Sequence, residues 1–310
     1  MSFSSDLKSE LFEIMPKSLH CRLAELSGII SISGRTEESD GKNRFIIRVE
    51  NDGMEDKTIK LLKLVLENQD IDILKQNQAK HHRKLIINNE DSVEKLKKRC
   101  KLQEDGFRFS VNEIVSERNC CKASYIRGAF LAGGSVGDPK KSNQLEIAAV
   151  SKAEATRLVR DLKLLGLSAK SLLRRDRYIV YIKDGNTISD LIGMMGATSS
   201  LMVYEEARIV KDVRNNINRE VNCESANIAK TVNAAAKQME DIKYIDEKIG
   251  LDKLPDNLKE MAKVRIENPY LPLAELGGCF IPPLGKSGIS HRLRKLSQIA
   301  DDLRNKEEKL

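Results

Sequence analysis

The feature that most constrains the fold is a pair of similar segments, 100 positions apart, that are apolar and rich in small side chains. The stronger copy is YIRGAFLAGGS at residues 125–135, and the weaker copy is ELSGIISISG at residues 25–34. Each pattern predicts a short buried helix that ends at a glycine. Gly28 and Gly128 occupy equivalent positions, where a missing side chain lets a second backbone approach closely. We therefore expect the two helices to pack against each other.

The sequence that follows each copy is also similar, which extends the repeat to whole structural units. Each copy precedes a strand-like run, an amphipathic helix and a pair of strands. In the first half these elements lie at residues 44–49, 57–66, 71–74 and 84–87. In the second half they lie at residues 144–150, 152–166, 169–173 and 178–182. Residues 1–200 are therefore predicted to form two αββαββα units, with halves at about 1–105 and 106–200.

The paired helices resemble the LAGLIDADG motif of homing endonucleases. In that family two such helices pack at a pseudo-twofold axis, and each ends in an acidic residue that holds a catalytic divalent metal. When the glycines are aligned, the acidic positions are occupied here by Ser33 and Gly133. Neither residue supplies the anionic oxygen that Mg²⁺ prefers. The resemblance therefore implies the helix packing of this family without its catalytic residues or its metal.

Four acidic residues lie just beyond the helix ends and could in principle reach inward: Glu37, Glu38, Asp40 and Asp138. Exposed acids in turns are common and need no catalytic explanation. We therefore expect a protein that is not an enzyme. A surviving metal-dependent endonuclease remains the alternative.

The composition is that of a globular protein of about two domains, with 310 residues of which 40% are apolar and 32% charged. The net charge of +7 weakly favours a polyanionic partner. The chain starts with a polar segment, and no apolar run approaches the roughly 20 residues that a membrane span needs. These features predict a cytoplasmic protein without membrane contact.

The cysteines give no sign of a metal site. Six are present, with no CxxC pair and no histidine at the spacing of zinc ligands. His20 beside Cys21 is too isolated to indicate a site. The sequence therefore predicts reduced thiols, no metal and no cofactor.

Basic residues cluster at a predicted bend between two strands in each half. In the endonuclease family the sheets form a saddle along the DNA major groove, so such tips suit phosphate contact. Ordinary solvated hairpin tips are an equally good explanation. The candidates for secondary DNA contact are Lys80, Arg83, Lys84, Arg174, Arg175 and Arg177.

Other segments connect these units. A first helix is expected at residues 6–14, capped by Ser4 or Ser5 and stopped by Pro16. Residues 106–118 are expected to be an extended link between the halves. Residues 201–250 are expected to form a helical linker of two helices, at 203–216 and 225–245. This segment contains many asparagines, and asparagine favours helix ends, so we expect them to cap breaks in the helical linker.

Residues 251–310 show a compact three-helix pattern with a short second helix. In the third helix, Ile289, Leu293, Leu296, Ala300 and Leu303 form a single apolar stripe. Between residues 286 and 298 there are four Lys or Arg residues and no acid. This arrangement predicts a helix-turn-helix domain at about 272–303, with the third helix as the recognition helix.

The predicted DNA-binding face lies opposite the apolar stripe and in the turn before it. Arg292, Arg294 and Lys295 are expected to contact phosphates or guanine, and Ser290 and His291 to contact base edges. The complete set is Lys286, Ser287, Ser290, His291, Arg292, Arg294, Lys295 and Gln298.

The combination of a degenerate LAGLIDADG-like repeat and a C-terminal helix-turn-helix resembles the WhiA family of bacterial proteins. The most specific segments are residues 124–135, 215–235 and 286–296. The resemblance implies a non-enzymatic DNA-binding regulator connected with cell division, chromosome segregation and, in spore formers, sporulation. We therefore expect a sequence-specific transcriptional regulator that acts at promoters and is nucleoid-associated. The predicted class is α+β: a tandem LAGLIDADG-like repeat domain, a helical linker and an all-α helix-turn-helix domain.

The expected partners are double-stranded DNA and a protein of the transcription or division machinery. The repeat domain is either a second DNA clamp or a platform for protein interactions, and the sequence leaves both open. Because the internal repeat already supplies a pseudo-dimer, we expect a monomer.

Overall fold

The computed structural model describes residues 2–39, 42–67, 71–77 and 83–307. The chain divides into two compact units, Met1–Asp212 and Val213–Leu310, each with its own hydrophobic core. Within the described ranges, no helix combines the length and the apolar character needed to cross a bilayer.

Helix α1 (Phe3–Glu13) begins earlier than the sequence predicted. Ser2, rather than Ser4 or Ser5, is its N-cap, and the Ser2 hydroxyl accepts a hydrogen bond from the Ser5 amide at 3.2 Å. The predicted start was therefore wrong by one turn, because three of the first five residues are serines with similar capping ability.

The first repeat has the predicted αββαββα order. Its elements are α2 (Leu19–Ser33), β1 (Gly34–Ser39), β2 (Lys42–Val49), α3 (Asp52–Leu66), β3 (Ile73–Asn77), β4 (Arg83–Ile87) and α4 (Glu90–Arg99). Asparagine side chains fix two of the helix starts. Asn51 accepts from the Met54 amide at 2.9 Å, and Asn89 accepts from the Ser92 amide at 3.1 Å.

The segment between the repeats is a hairpin rather than the extended link that was expected. Strands β5 (Leu102–Asp105) and β6 (Arg108–Val111) flank Gly106, which has a φ of 61°. Phe109 and Val111 alternate inward with exposed residues, so β6 has one buried face. Strand β6 pairs with β1, and the first sheet, over the ranges that the structure describes, has the order β3-β4-β2-β1-β6-β5.

The second repeat has the same order. Its elements are α5 (Asn119–Gly133), β7 (Gly134–Val136), β8 (Leu145–Ala149), α6 (Lys152–Leu164), β9 (Lys170–Arg174), β10 (Arg177–Ile182) and α7 (Gly185–Met195). Its strands form an antiparallel sheet in the order β7-β8-β10-β9. The sequence predicted two strands after each paired helix but located only the second, so the positions of β1 and β7, which follow the helices without an intervening loop, were not predicted.

Helix α8 (Thr198–Ile249) is one continuous helix of 52 residues, not the two helices that were expected. No Gly or Pro occurs between 198 and 249, and the good helix formers of this segment outweigh its asparagines. Side chains at 212–230 are exposed, so the asparagines in that stretch cap no breaks. The Glu10 carboxylate caps the start of α8, accepting from the Ser199 and Ser200 amides at 2.8 Å each.

The C-terminal unit contains the predicted three helices, α9 (Asp256–Glu267), α10 (Leu273–Leu276) and α11 (Lys286–Glu307). The last turns of α8 add Ile242 and Ile245 to their shared core. Helix α11 begins at Lys286, so Lys286 and Ser287 lie in its first turn and not in the preceding turn as expected. The turn itself is tight, because a Cβ on Gly277 would lie 2.1 Å from the carbonyl oxygen of Leu284.

Candidate nucleic-acid interface

Helix α11 has the apolar stripe that its sequence predicted. Ile289, Leu293, Leu296 and Ala300 are buried in the core of the C-terminal unit, and Leu303 packs partly against it. The eight residues predicted to bind DNA are exposed or half-buried: Lys286, Ser287, Ser290, His291, Arg292, Arg294, Lys295 and Gln298. The helix therefore presents a polar, basic face opposite its buried stripe.

Two buried polar residues fix parts of the C-terminal unit, one of them helix α11. Asp241 of α8 is 1% exposed, accepts a hydrogen bond from the Ser297 hydroxyl at 2.7 Å and pairs with Arg304 at 2.9 Å. Arg265 of α9 is also buried, and its guanidinium donates to the carbonyl of Leu271 at 2.8 Å. Helix α11 and the connection between α9 and α10 are thus fixed by charged hydrogen-bonding groups as well as by apolar packing.

The basic residues of α11 differ in how far they are already bound. Arg292 lies 3.6 Å from Glu260, donates to the Asn257 carbonyl at 3.4 Å and stands over the Phe280 ring at 5.5 Å. Lys286, Arg294 and Lys295 are exposed and have no hydrogen-bonding or ionic partner in the described parts of the chain. Arg292 is therefore partly structural, whereas the other three side chains are available to a ligand.

In the other unit, α2 and α5 pack so closely that two of their glycines have no room for a side chain. A Cβ on Gly28 would lie 2.2 Å from the carbonyl oxygen of Tyr125, and a Cβ on Gly128 would lie 2.1 Å from that of Glu25. Any larger residue would have to displace backbone. These glycines are the structural reason for the small-residue repeat.

A buried charge cluster crosses the α2–α5 contact. Arg127 donates to both carboxylate oxygens of Glu25, at 3.0 and 2.5 Å, and to the Met195 carbonyl at 2.9 Å. Lys57 of α3 lies 2.9 Å from the same carboxylate. Burial lowers the pKa of Lys57, and the Glu25 charge opposes that shift. All three side chains are at most 8% exposed, so this cluster is structural.

At the C-terminal ends of these two helices, where the endonuclease family has its acidic residues, the surface is mainly basic. The Ser33 hydroxyl donates to the Ile29 carbonyl at 2.8 Å, and Gly133 offers no side chain. Two adjoining clefts open here, and they share the charged residues Arg48, Glu50 and Arg177. Their other charged lining residues are Arg35, Arg83, Lys84, Arg108 and Asp176.

The acidic residues that could have reached inward have local partners or lie elsewhere. Glu37 pairs with Arg35, and also with Lys84 at 2.8 Å. Asp138 accepts from the Lys140 amide at 3.0 Å in its own turn. Glu38 is exposed, and Asp40 lies outside the described residues.

The candidates for secondary DNA contact fall into two groups. Arg83 pairs with Asp52 and lies 3.7 Å from Glu55, and Lys84 is bound to Glu37, so both side chains are already neutralised. Lys80 lies outside the described residues. Arg174, Arg175 and Arg177 are exposed at the two-residue turn between β9 and β10, and Arg174 is 3.5 Å from Glu146. The second hairpin tip therefore offers more available positive charge.

Sequence spacing missed one cluster at the opposite, N-terminal ends of α2 and α5. The ligand atoms of His20, Cys21, Cys120 and Cys121 all lie within 4.8 Å of one another. Burial, together with the nearby Cys21 and Cys120, raises the pKa of Cys121 to about 12. Burial likewise raises the pKa of Cys21. The signal was present in the repeat itself, because positions 20 and 120, and 21 and 121, are equivalent when Gly28 and Gly128 are aligned.

Two family models match parts of this chain. Residues 122–214 match the family model of the WhiA LAGLIDADG-like domain, and residues 217–300 match that of the WhiA C-terminal HTH domain. The crystal structure of full-length DUF199/WhiA from Thermatoga maritima covers 97% of this chain, and the chain covers 99% of it, with a TM-score of 0.56 and 24% identity. This similarity shows that the two proteins share a fold.

Two curated relatives are similar over almost their whole length. Both carry the name probable cell division protein WhiA. The Lachnoclostridium phytofermentans protein is 40% identical over 316 residues, covering 98% of this chain and 100% of the relative. The Clostridium tetani protein is 41% identical over 314 residues, covering 98% of each. With this identity along nearly the full chain, the protein belongs to the WhiA family.

Proposed function

We propose that this protein is a sequence-specific, DNA-binding transcriptional regulator of cell division and chromosome segregation, with a further role in sporulation where its host forms spores. The names of its relatives and the matched helix-turn-helix family model support the DNA-binding and cell-division parts of the proposal. Promoter DNA is the proposed target. We further propose that the protein is monomeric, cytoplasmic and nucleoid-associated.

The observation that carries the proposal is the exposed basic face of α11. Lys286, Arg294 and Lys295 have no partner among the described residues, and the first turn of the helix contains no acid. The N-terminus of a helix attracts phosphate through its free amides and its dipole. We assign phosphate or guanine contacts to Arg294 and Lys295. Arg292, whose side chain is partly held within its own unit, supports these contacts. Ser290 and His291 are assigned to base edges.

The proposal also holds that the protein is not an enzyme. Cleavage of a phosphodiester by a bound metal needs anionic oxygen ligands where the helix pair ends. Ser33 and Gly133 supply none, and most of the charged residues that line the clefts beside them are basic. A basic cleft disfavours a divalent cation and favours a polyanion.

For the repeat domain we propose a supporting role, in contact either with flanking DNA or with a protein partner. The exposed tip at Arg174, Arg175 and Arg177 is the better DNA candidate, since Arg83 and Lys84 are held by acids. We retain the proposed division into a repeat domain at 1–200, a helical linker at 201–250 and a helix-turn-helix domain at 251–310.

The experiment that tests the function measures binding of the full-length protein to labelled fragments of the genome that encodes it. Binding is measured at several salt concentrations with Mg²⁺ present, and the DNA is examined for cuts. Selective, salt-dependent binding without cleavage is expected. A variant with Arg294→Ala and Lys295→Ala should lose selective binding, while Lys306→Ala, an exposed cation on the last turn of the same helix, should keep it.

Two outcomes would contradict the proposal. Mg²⁺-dependent nicking that disappears in Glu37→Gln or Asp138→Asn would establish an endonuclease. Selective binding that is unchanged in the α11 double variant would move DNA recognition to another surface of the molecule.

A further inference from the structure

The four-residue cluster at the N-terminal ends of α2 and α5 joins the two halves of the repeat. His20 and Cys21 are the second and third residues of α2, and Cys120 and Cys121 are the second and third residues of α5. The Nδ1 atom of His20 lies 3.2 Å from the Cys121 Sγ and 3.3 Å from the Cys21 Sγ. Two equivalent pairs of side chains therefore meet across the pseudo-twofold axis.

The dimensions of the cluster fit a tetrahedral zinc ion. Bonds of about 2.3 Å to sulfur and about 2.0 Å to nitrogen place the ligand atoms of such a site roughly 3.5–3.8 Å apart. Here the four atoms lie within 4.8 Å of one another, and the two N···S distances are 3.2 and 3.3 Å. Closing around an ion therefore requires side-chain shifts of about 1 Å or less.

The donor set and its surroundings favour zinc over a hard cation. Three thiolates and one imidazole are soft or borderline ligands, which suit Zn²⁺ and exclude Mg²⁺ or Ca²⁺. Three thiolates around one divalent cation leave a single net negative charge, which the positive ends of two helix dipoles stabilise.

The N-terminal ends of α2 and α5 also lack side-chain caps, whose stabilising role a bound metal site would take over. In the part of the chain that the structure describes, neither Ser18 nor Arg118 makes a side-chain cap hydrogen bond, and neither first turn contains an acid. By contrast, α1, α3, α4, α6 and α7 all have a side-chain cap.

We propose that His20, Cys21, Cys120 and Cys121 bind one Zn²⁺ in a structural Cys₃His site that ties the N-terminal ends of α2 and α5 together. Four protein ligands complete the tetrahedron, so the ion has no open position for a substrate. The site lies at the end of the helix pair opposite the basic clefts, and it stabilises the repeat domain. The proposal does not depend on DNA binding.

The test uses the full-length protein purified under reducing conditions. Metal analysis should find one zinc per chain, and titration of the metal-free protein with Co²⁺ should produce the absorption of tetrahedral cobalt with thiolate charge-transfer bands. Cys120→Ser should lower zinc affinity by at least about 10-fold, since even outer-shell changes cost that much. Cys223→Ser and Cys279→Ser remove exposed thiols elsewhere and should bind zinc as the native protein does.

Cys120 is exposed, so its substitution leaves the core intact and keeps the test valid if variants at Cys21 or Cys121 do not fold. At equal zinc concentration, zinc should raise the thermal unfolding midpoint of the native protein more than that of Cys120→Ser. The proposal is overturned if the folded native protein takes up neither zinc nor cobalt. It is also overturned if Cys120→Ser retains full affinity, or if an intact mass two hydrogens lower shows a disulfide within the cluster.

Discussion

The paired helices α2 and α5 and the helix α11 use basic residues in opposite ways. In the pair, the side chain of Arg127 is 8% exposed. Its guanidinium donates hydrogen bonds to the Glu25 carboxylate and to the Met195 carbonyl. In α11, Arg294 and Lys295 are exposed and lack partners among the described residues. The difference shows that an arginine in a recognisable sequence motif indicates ligand binding only where the fold leaves its guanidinium without a partner.

This contrast predicts which property each substitution changes. Removing one partner of a buried ion pair leaves the other charge uncompensated, so changes in the helix pair affect stability. Removing an exposed cation from α11 affects binding and leaves the fold intact. The following substitutions test that separation, from the largest expected effect to the smallest.

Arg127→Ala should lower the free energy of unfolding by about 3–5 kcal/mol, because it leaves the buried Glu25 carboxylate without its bidentate partner. Urea titration followed by circular dichroism measures the loss. Lys163→Ala, which removes an exposed cation from α6, should stay within about 0.5 kcal/mol of the native protein. Equal stability of the two variants would show that the buried pair is not structural.

Gly128→Ala should lower the free energy of unfolding by about 2–3 kcal/mol, because the new Cβ would lie 2.1 Å from the Glu25 carbonyl oxygen and must displace backbone. The matched control is Gly288→Ala in α11, where nothing lies within 4 Å of the added Cβ. There the same substitution should stabilise the protein by about 0.5–1 kcal/mol through helix propensity. Shifts of the same sign at both positions would contradict the close helix contact.

Arg294→Ala should weaken selective DNA binding by about 1–2 kcal/mol and reduce the slope of log K against log salt by about 0.9. The thermal midpoint should not change, since the side chain touches no described partner. Binding assays at four or more salt concentrations measure both quantities. An unchanged slope would remove Arg294 from the phosphate contacts, and Lys306→Ala serves as the control for loss of charge alone.

Glu10→Gln should lower the free energy of unfolding at neutral pH by about 1 kcal/mol, the usual contribution of a helix cap. Partial burial opposes ionisation of Glu10, but hydrogen bonds from Ser200 and Ser199 outweigh it and lower its pKa from the ordinary 4.5. The stabilisation is therefore present above that pH and is lost as pH falls through the lowered pKa. The difference in the free energy of unfolding between the native protein and Glu10→Gln should therefore disappear in acid.

The test measures the free energy of unfolding of the native protein and of Glu10→Gln from neutral to strongly acidic pH. Glu13→Gln, an exposed change in the same helix, is the control for loss of a carboxylate alone. A gap that widens in acid would reverse the sign and exclude the proposed capping role of Glu10.

Much of the fold could be predicted from the sequence because its signals are local or repeated. The stripe of α11 and the repeats around Gly28 and Gly128 gave the correct helices and their faces. Strands β1 and β7 were missed because they leave their helices directly, without a turn signal. The β5–β6 hairpin was missed although Asp105-Gly106 stands between alternating residues, a pattern that favours a turn.

The remaining errors have two different physical causes. The asparagines of α8 suggested breaks, but the summed helix propensity of a segment without Gly or Pro outweighs single unfavourable residues. The cluster at His20 and Cys121 was missed because local spacing rules detect ligands on one segment only. Its members meet only after the two repeats have packed.

The Glu25–Arg127 pair also determines which helices can associate. A symmetric assembly of two chains through α2 alone would place two Glu25 carboxylates at one buried contact, and an assembly through α5 alone would place two Arg127 guanidiniums there. Like charges at a desolvated contact are strongly unfavourable, whereas the native contact joins unlike charges. The two halves of the tandem repeat are thus not interchangeable, because each supplies a charge of the opposite sign to the same contact.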